Sequence, residues 1–422
     1  MTHRQFCIRF FALFLSFASV ARAGGFQLNE HSARATGMGG AFSALSSDAS
    51  AIYFNPAGLA FLKGNSVSIG ATLIFPVSSF EDPAGVKASM TPQVFTPPNA
   101  YFSTSTDQGL SYGIGIFTPF GLGIEWPADW EGRKLAIKAD IQSFFVNPTI
   151  AYKLFDQLSI GAGVSYAYSK VDLSNRVPTF TDASESALSP DDGTVKLEAS
   201  GSSINFDGGV MYRPFEELSV GVSYRHSTKF DFSGTATFSN MQGLSQYFPG
   251  GTGTTTITFP SNLFAGVAYR VSPDLVLEAD YQFVGWSSYD TLKVGLPDGP
   301  PDPREQGAIL QKTQVYPKDW NVAYLLRIGG EYRYSDRWMF RAGYIYDSTP
   351  QPDKAVEPLL PDANRNDLTL GASYSISETW SIDAAYMMVL FQDRSVSSQV
   401  NVFPGTYKTT AYLFSFDVNC RF

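Results

Sequence analysis

The stretch Leu158-Ser159-Ile160-Gly161-Ala162-Gly163-Val164-Ser165-Tyr166-Ala167-Tyr168-Ser169 alternates between two kinds of residue. A β-strand turns successive side chains to opposite faces, so this one carries an oily row on one side and a small, polar row on the other. The same split recurs in Leu218, Val220, Val222 and Tyr224 against Ser219, Gly221, Ser223 and Arg225. It recurs again in Trp338, Phe340, Ala342, Tyr344 and Tyr346 against Met339, Arg341 and Gly343. A soluble β-sandwich also alternates, but here the apolar rows are closed at both ends by Tyr or Trp in strand after strand. Such aromatic girdles mark strands that cross a lipid bilayer.

The strands are punctuated by a repeated turn: an alternating stretch ends in an aromatic, a few polar residues follow, and Leu or Trp opens the next stretch. Five copies are plain, at 152–158, 212–218, 269–275, 332–338 and 374–380, and a less regular sixth runs from Tyr101 to Leu110. Six short turns on one side, with both chain ends on that side, imply seven hairpins and so fourteen antiparallel strands, an even number as single-chain bacterial barrels require. Tyr412, Phe414, Phe416, Val418, Cys420 and Phe422 form one apolar face, and the chain stops at that Phe. This resembles the terminal strand signal that the barrel assembly machinery of Gram-negative bacteria reads. The longer connections, at 76–93, 118–139, 175–195, 233–254, 292–318, 348–364 and 393–405, fit extracellular loops. Pro297 to Pro303 is the stiffest run among them.

Composition agrees with this reading and closes others. Of 422 residues only 16% are charged, against roughly 25% in an ordinary soluble chain, while aromatics reach 15%. Mean hydropathy is -0.07 and no long uncharged apolar run follows the start of the chain, which excludes a bundle of membrane helices. Residues 1–23 read as an export signal: Arg4 and Arg9, a short apolar run from Phe10 to Val20, then Ala21-Arg22-Ala23 as the cleavage site. Removing them takes the net charge from -9 to -12 and leaves one cysteine, Cys420, and two histidines, His31 and His226. Neither a nucleic-acid partner nor a zinc site fits that inventory, and no cofactor or metal is expected. His226 and Ser227 are adjacent on a strand and point to opposite faces, so they cannot act as a nucleophile-base pair; the chain does not read as an enzyme.

Residues 24–63 do not alternate. They carry Gly24-Gly25-Phe26-Gln27-Leu28-Asn29-Glu30, then Gly37-Met38-Gly39-Gly40-Ala41-Phe42, Asp48-Ala49-Ser50 and Asn55-Pro56-Ala57-Gly58-Leu59. The glycines lack the preceding strand and following Lys of a phosphate loop. A barrel of this width needs filling, and a compact N-terminal plug supplies it. These motifs resemble the long-chain fatty acid transporter family of outer-membrane proteins, the FadL type. The resemblance implies an all-β, 14-stranded transmembrane barrel over 64–422 whose lumen is closed by an N-terminal hatch over 24–63. It implies a hydrophobic small molecule as ligand, caught by loops, bound in the lumen, and released sideways into outer-membrane lipid as the hatch moves. Phe26, Asn55, Pro56 and Ala57 are then hatch and gating residues. The lateral gap belongs to an inward kink of the third strand, with Gly113 and Gly115 as kink candidates. A monomer suffices for all of this.

A fatty acid needs an apolar pocket and a cationic anchor for its carboxylate. Face parity puts Arg225, Lys229, Arg327, Arg341 and Arg365 inward and Lys170 and Lys318 outward, whereas alignment to the family favours a base near the last two; a bulge would reconcile them. Inward bases also have lumen carboxylates to pair with, namely Glu278, Asp280, Glu331, Asp383 and Asp417. The oiliest loop holds Phe117, Phe120, Leu122, Ile124, Trp126 and Trp130. It is either an exposed capture surface or a loop packed on its own aromatics. Uptake of aromatic hydrocarbons such as toluene, and a non-transporting structural barrel, are the alternative functions.

Overall fold

The computed structural model describes residues 24–177, 192–297 and 313–422. The export signal and most of the Pro297–Pro303 run lie outside those residues. Fourteen antiparallel strands close into one barrel. They are β1 (Asn65–Glu81), β2 (Pro98–Ser105), β3 (Leu110–Phe117, resuming at Gly121–Glu125), β4 (Lys138–Phe155), β5 (Leu158–Val177) and β6 (Gly193–Phe215), then β7 (Leu218–Arg225 and Thr228–Ser239) and β8 (Gly251–Phe259 and Asn262–Ser272). There follow β9 (Leu275–Val284 and Thr291–Gly295), β10 (Thr313–Pro317 and Ala323–Arg333), β11 (Trp338–Asp347), β12 (Arg365–Ser375), β13 (Trp380–Phe391) and β14 (Gly405–Arg421). Each pairs with its sequence neighbours, and β1 closes the ring on β14 from Ser66↔Arg421 to Glu81↔Thr406. Two short strands, Lys87–Ser89 and Arg394–Val396, extend β1 and β14.

All six short turns fall between strands as the sequence pattern predicts. The oily rows face out: Val164, Tyr166, Val222, Tyr224, Trp338, Phe340, Tyr412, Phe414 and Phe416 are exposed, while Ser159, Ser165, Ser169, Ser219 and Ser223 are buried. Several expected loops are shorter than their polarity suggests. Half of the 233–254 stretch is strand, because β7 runs on to Ser239 and β8 begins at Gly251. Beyond the lipid band the outward row turns polar, so the oily alternation stops while the backbone ladder continues.

Inside the barrel sits the chain from Gly24 to Leu62, folded as two short helices, α1 (Ala33–Gly37) and α2 (Ala51–Phe54), and a 3-10 turn at Pro56–Phe61. Ser32 caps α1 and Asn55 caps the 3-10 turn through side-chain oxygens, as short polar side chains do at helix starts. The barrel holds this segment largely by its backbone. Asp280 accepts from Phe42 N–H and Ser43 N–H at 3.1 and 3.0 Å, Glu278 from Ala44 N–H and Leu45 N–H at 2.7 and 3.0 Å, and Asp417 from Ala33 N–H at 2.5 Å. An intramolecular hydrogen bond contributes about 0.5–1.5 kcal/mol net. Glycine lets the two layers touch: the Cβ of any residue larger than Gly at 37 would lie 2.9 Å from the Gly371 Cα of β12.

Candidate functional site: a cavity beside the third strand

The third strand breaks at Thr118-Pro119-Phe120. Pro119 cannot donate to a ladder, and the N-terminal segment takes the vacated place. Leu28 N–H donates to Pro119 O and Gly121 N–H to Phe26 O, both at 3.0 Å, and Gln27 bridges Phe120. Gly113 and Gly115 are not the kink. They lie in a continuously paired stretch between β2 and β4, and their missing side chains make room for Ile52 of α2, whose carbons would lie 2.8–2.9 Å from an added Cβ.

A cavity of about 410 Å³ opens at this break, and most of its lining is apolar. Side chains of both parities line it. Ile74 and Ile141 come from inward rows, whereas Asp140, Gln142 and Phe144 belong to the outward row of β4, so the cavity reaches into the thickness of the wall. On the lumen side it meets Phe26, Leu28, Leu360, Asp362 and Arg365. A second cavity, about 570 Å³, lies at the short-turn end, lined by ion-paired Arg34, Glu331, Arg341 and Asp383; it offers a hydrophobic ligand little.

Phe26 closes the cavity inward. It is 3% exposed and touches five aromatic rings: Trp286 at 4.6 Å, Phe259 at 5.4 Å, Tyr289 at 5.7 Å, and Phe120 and Trp320 at 6.2 Å. Gly25 N–H donates to Asp362 at 3.2 Å, and Thr349 Oγ1 donates to the same carboxylate at 2.6 Å. Burial pushes the Asp362 carboxyl up to about 6 against the pull of Arg365 and these hydrogen bonds. His31, whose Nε2–H donates to Leu28 O at 2.9 Å and whose ring lies 3.4 Å from that of Tyr53, is pushed down to about 3 by burial.

Asn55, Pro56 and Ala57 sit deep in the barrel, all fully buried. Asn55 Nδ2 donates to Ser43 O at 3.0 Å and to Val210 O at 3.1 Å, its Oδ1 accepts from Ala57 N–H at 3.2 Å, and Ser159 Oγ donates to Ala57 O at 2.8 Å. One side chain thus ties two parts of the N-terminal segment to β6.

The candidate anchors separate sharply. Arg365 lines the cavity and is bonded to Asp347 through Nε and Nη2 at 2.6 and 2.5 Å. Arg225 faces in but is paired with Asp207 at 3.5 Å and stacked over Tyr53 and Phe117. Arg327 faces in and donates to Asn29 Oδ1 at 2.8 Å, and Arg341 joins Glu331 and Asp383 at 2.7 and 2.9 Å. Lys170 faces out and is exposed, as parity predicts.

Two parity assignments reverse. Lys229 points outward beside Asp231 because the break at His226-Ser227 shifts the alternation of β7, placing Thr228, Phe230 and Phe232 inside. Lys318 is buried against Glu357 because the interruption between Pro317 and Ala323 resets β10. His226 lies on the outer face, its Nδ1 3.2 Å from the Tyr224 hydroxyl.

The expected capture loop is not an exposed surface. Phe117 and Phe120 are core residues, and Trp126 and Trp130 stack at 4.4 Å inside a cluster with Phe80, Phe403 and Tyr407. Of that set only Leu122 and Ile124 line the cavity. Trp286, Tyr289 and Trp320 are the site residues that sequence alternation misses. They fall at or beside the breaks of β9 and β10, where a period-two reading loses register.

The family model for the outer membrane protein transport protein (OMPP1/FadL/TodX) matches residues 14–422. A long-chain fatty acid transport protein of Escherichia coli O6:H1 is 26% identical over 404 residues, covering 87% of each chain. Outer membrane protein P1 of Haemophilus influenzae is 24% identical, covering 87% of this chain and 86% of its own. Among solved structures, a Pseudomonas aeruginosa FadL homologue superposes with a TM-score of 0.82 at 19% identity, covering 94% of this chain and 100% of its own. The Ralstonia pickettii toluene transporter TbuX gives 0.67 at 20% identity, covering 92% and 97%. With its closed fourteen-stranded barrel, broken third strand and family match over nearly its whole length, the chain belongs to the OMPP1/FadL/TodX family of outer-membrane transport proteins.

Proposed function

We propose that this protein admits long-chain fatty acids across the outer membrane by passive diffusion, with the cavity beside β3 as the binding site and the N-terminal segment as its hatch. The carrying observation is the double-faced lining: one cavity touches both Phe26 in the lumen and Phe144 on the outer row. A ligand seated there lies between a movable hatch and the lipid. Each methylene moved from water into lipid gains about 0.8 kcal/mol, so sideways release needs no other energy source. The ligand displaces the hatch only by binding the displaced state more tightly. Arg365 is the carboxylate anchor, the one candidate base that lines the cavity. The curated relatives named as long-chain fatty acid transport proteins support this choice.

One observation favours a second reading. Arg365 already holds Asp347, and Asp362 lies beside it, so the cavity has little positive charge left for an anion. That arrangement suits an uncharged hydrocarbon, the class carried by toluene transporters of the same fold. Uptake of radiolabelled oleate and toluene by cells expressing the wild type and Arg365→Met separates the two. Loss of oleate uptake alone supports the fatty-acid reading, and preference for toluene with indifference to the substitution supports the hydrocarbon reading. Uptake of neither refutes transport and leaves a structural barrel.

A further inference from the structure

A seam runs through the wall between residues 91–98 and the upper half of β3. On one side, the segment is paired to β1: Ile74 and Phe95 exchange hydrogen bonds of 2.8 and 3.0 Å, and Thr72 N–H donates to Pro97 O at 3.1 Å. On the other side, Gly121–Glu125 is paired to β4. Among the described residues one backbone hydrogen bond crosses the seam, from Thr91 N–H to Glu125 O at 2.7 Å, with Gln93 Nε2 donating to the Glu125 carboxylate at 3.1 Å above it.

Because Phe95 and Pro97 turn their backbone groups to β1, residues 94, 96 and 98 turn theirs to β3 by alternation, and Pro98 has no N–H to give. What fills the gap is a side chain. The Phe95 ring occupies the place where a Cβ on Gly123 would stand. Gly123 pairs with Asp140 of the outward row, so β3 after its break has swung inward and presents its outer face to the inward-pointing ring. Phe95 is half-buried and lines the cavity together with Val94, Pro98 and Phe144, which face the lipid side.

We propose that Phe95 is the leaf of the lateral door and Gly123 its seat: turning the ring off Gly123 joins the cavity to the bilayer, and the size of the ring sets the cross-section of what passes. This rests on the cavity being a conduit for hydrophobic ligands, and it assigns the step that chooses among them. Glycine at 123 follows as a requirement, since any side chain there would hold the leaf off its seat.

The full mature chain carrying Cys420→Ser, Phe95→Cys and Gly123→Cys is reconstituted in proteoliposomes. Transfer of tritiated oleate and toluene into the lipid is measured before and after joining the two thiols with a short, cleavable bifunctional reagent, and binding is measured by equilibrium dialysis. The expected result is loss of transfer with binding retained, reversed by cleaving the link. Phe95→Ala in the unlinked protein raises transfer of pyrene more than transfer of toluene. Transfer unaffected by the link overturns the door while leaving the conduit intact. Absence of binding and transfer in the unmodified protein refutes the conduit, and the door with it.

Discussion

Replacing Phe26 by Ala should loosen the hatch without disturbing the barrel. The ring is buried among five aromatic neighbours at 4.6–6.2 Å, while the backbone on either side of it is held by the bonds of Leu28 N–H and Gly121 N–H across the β3 break. Truncating a core Phe costs about 3–5 kcal/mol in a site that does not collapse. Taking the lower figure, and about 1.4 kcal/mol per factor of ten, the displaced state rises about a hundredfold relative to the closed one. Gln27, 6% exposed and bridged to Phe120, reports this directly. In a Cys420→Ser background, Gln27→Cys is labelled by a water-soluble maleimide only when the segment comes away. The labelling rate should rise by about two orders of magnitude in Phe26→Ala, and by less in Phe26→Leu. Apparent ligand affinity should rise in parallel, because less binding energy goes into displacing the hatch. An unchanged labelling rate, with the barrel intact, would show that Phe26 is not what holds the segment in place.

Arg34→Met should free the other end of the hatch: it breaks bonds to Glu331 at 2.8 Å and Asp48 at 3.1 Å, a loss of about 3–5 kcal/mol for a buried pair, read as proteolytic cleavage within residues 24–62. Lys170→Gln should leave oleate uptake unchanged, since that side chain lies exposed on the outward row and not in the cavity; a drop in uptake measured in cells would refute the assigned face. Two groups should oppose each other in acid. His31, held near 3 when closed and returning toward 6.5 when released, makes acid favour release, whereas Asp362, raised to about 6 when closed and returning toward 3.8 when its Gly25 and Thr349 partners leave, makes acid favour closure. Between about pH 4 and 6 the two nearly cancel at about 1.4 kcal/mol per pH unit each. Relative to the wild type, and normalised to a fully exposed cysteine at the same pH because the thiolate is the reacting form, maleimide labelling at position 27 should fall with acid in His31→Gln and rise with acid in Asp362→Asn.

The barrel was legible because one physical rule, side chains alternating across a sheet with lipid on one side, acts on every strand from Leu158 to Phe422. The site was less legible because it sits where that rule is suspended. The parity of Lys229 depends on one extra residue at His226-Ser227, and that of Lys318 on the interruption before Ala323. The His226-Ser227 break has no marker as clear as the Pro119 that ends the first half of β3, and Pro317 marks the β10 interruption without fixing its length. Gly113 and Gly115 look like kink residues until Ile52 is seen against them. The aromatics of 117–130 look like a capture surface until Phe80 and Tyr407, distant in sequence, are found packed on them. Periodicity locates residues along the wall, but contacts between the wall and its contents involve no period at all.

The hydrogen bond from Ala33 N–H to Asp417 joins residues 384 apart in sequence, and β1 cannot close the ring until β14 exists. Closure entropy must be met before such contacts contribute. The Ala33 end of the N-terminal segment therefore lacks its carboxylate partner until the last strand has been made and paired. The final hairpin both completes the barrel and supplies the carboxylate that receives this end. Full seating of the segment thus follows completed assembly, and a barrel truncated before Asp417 would leave the Ala33 end untethered.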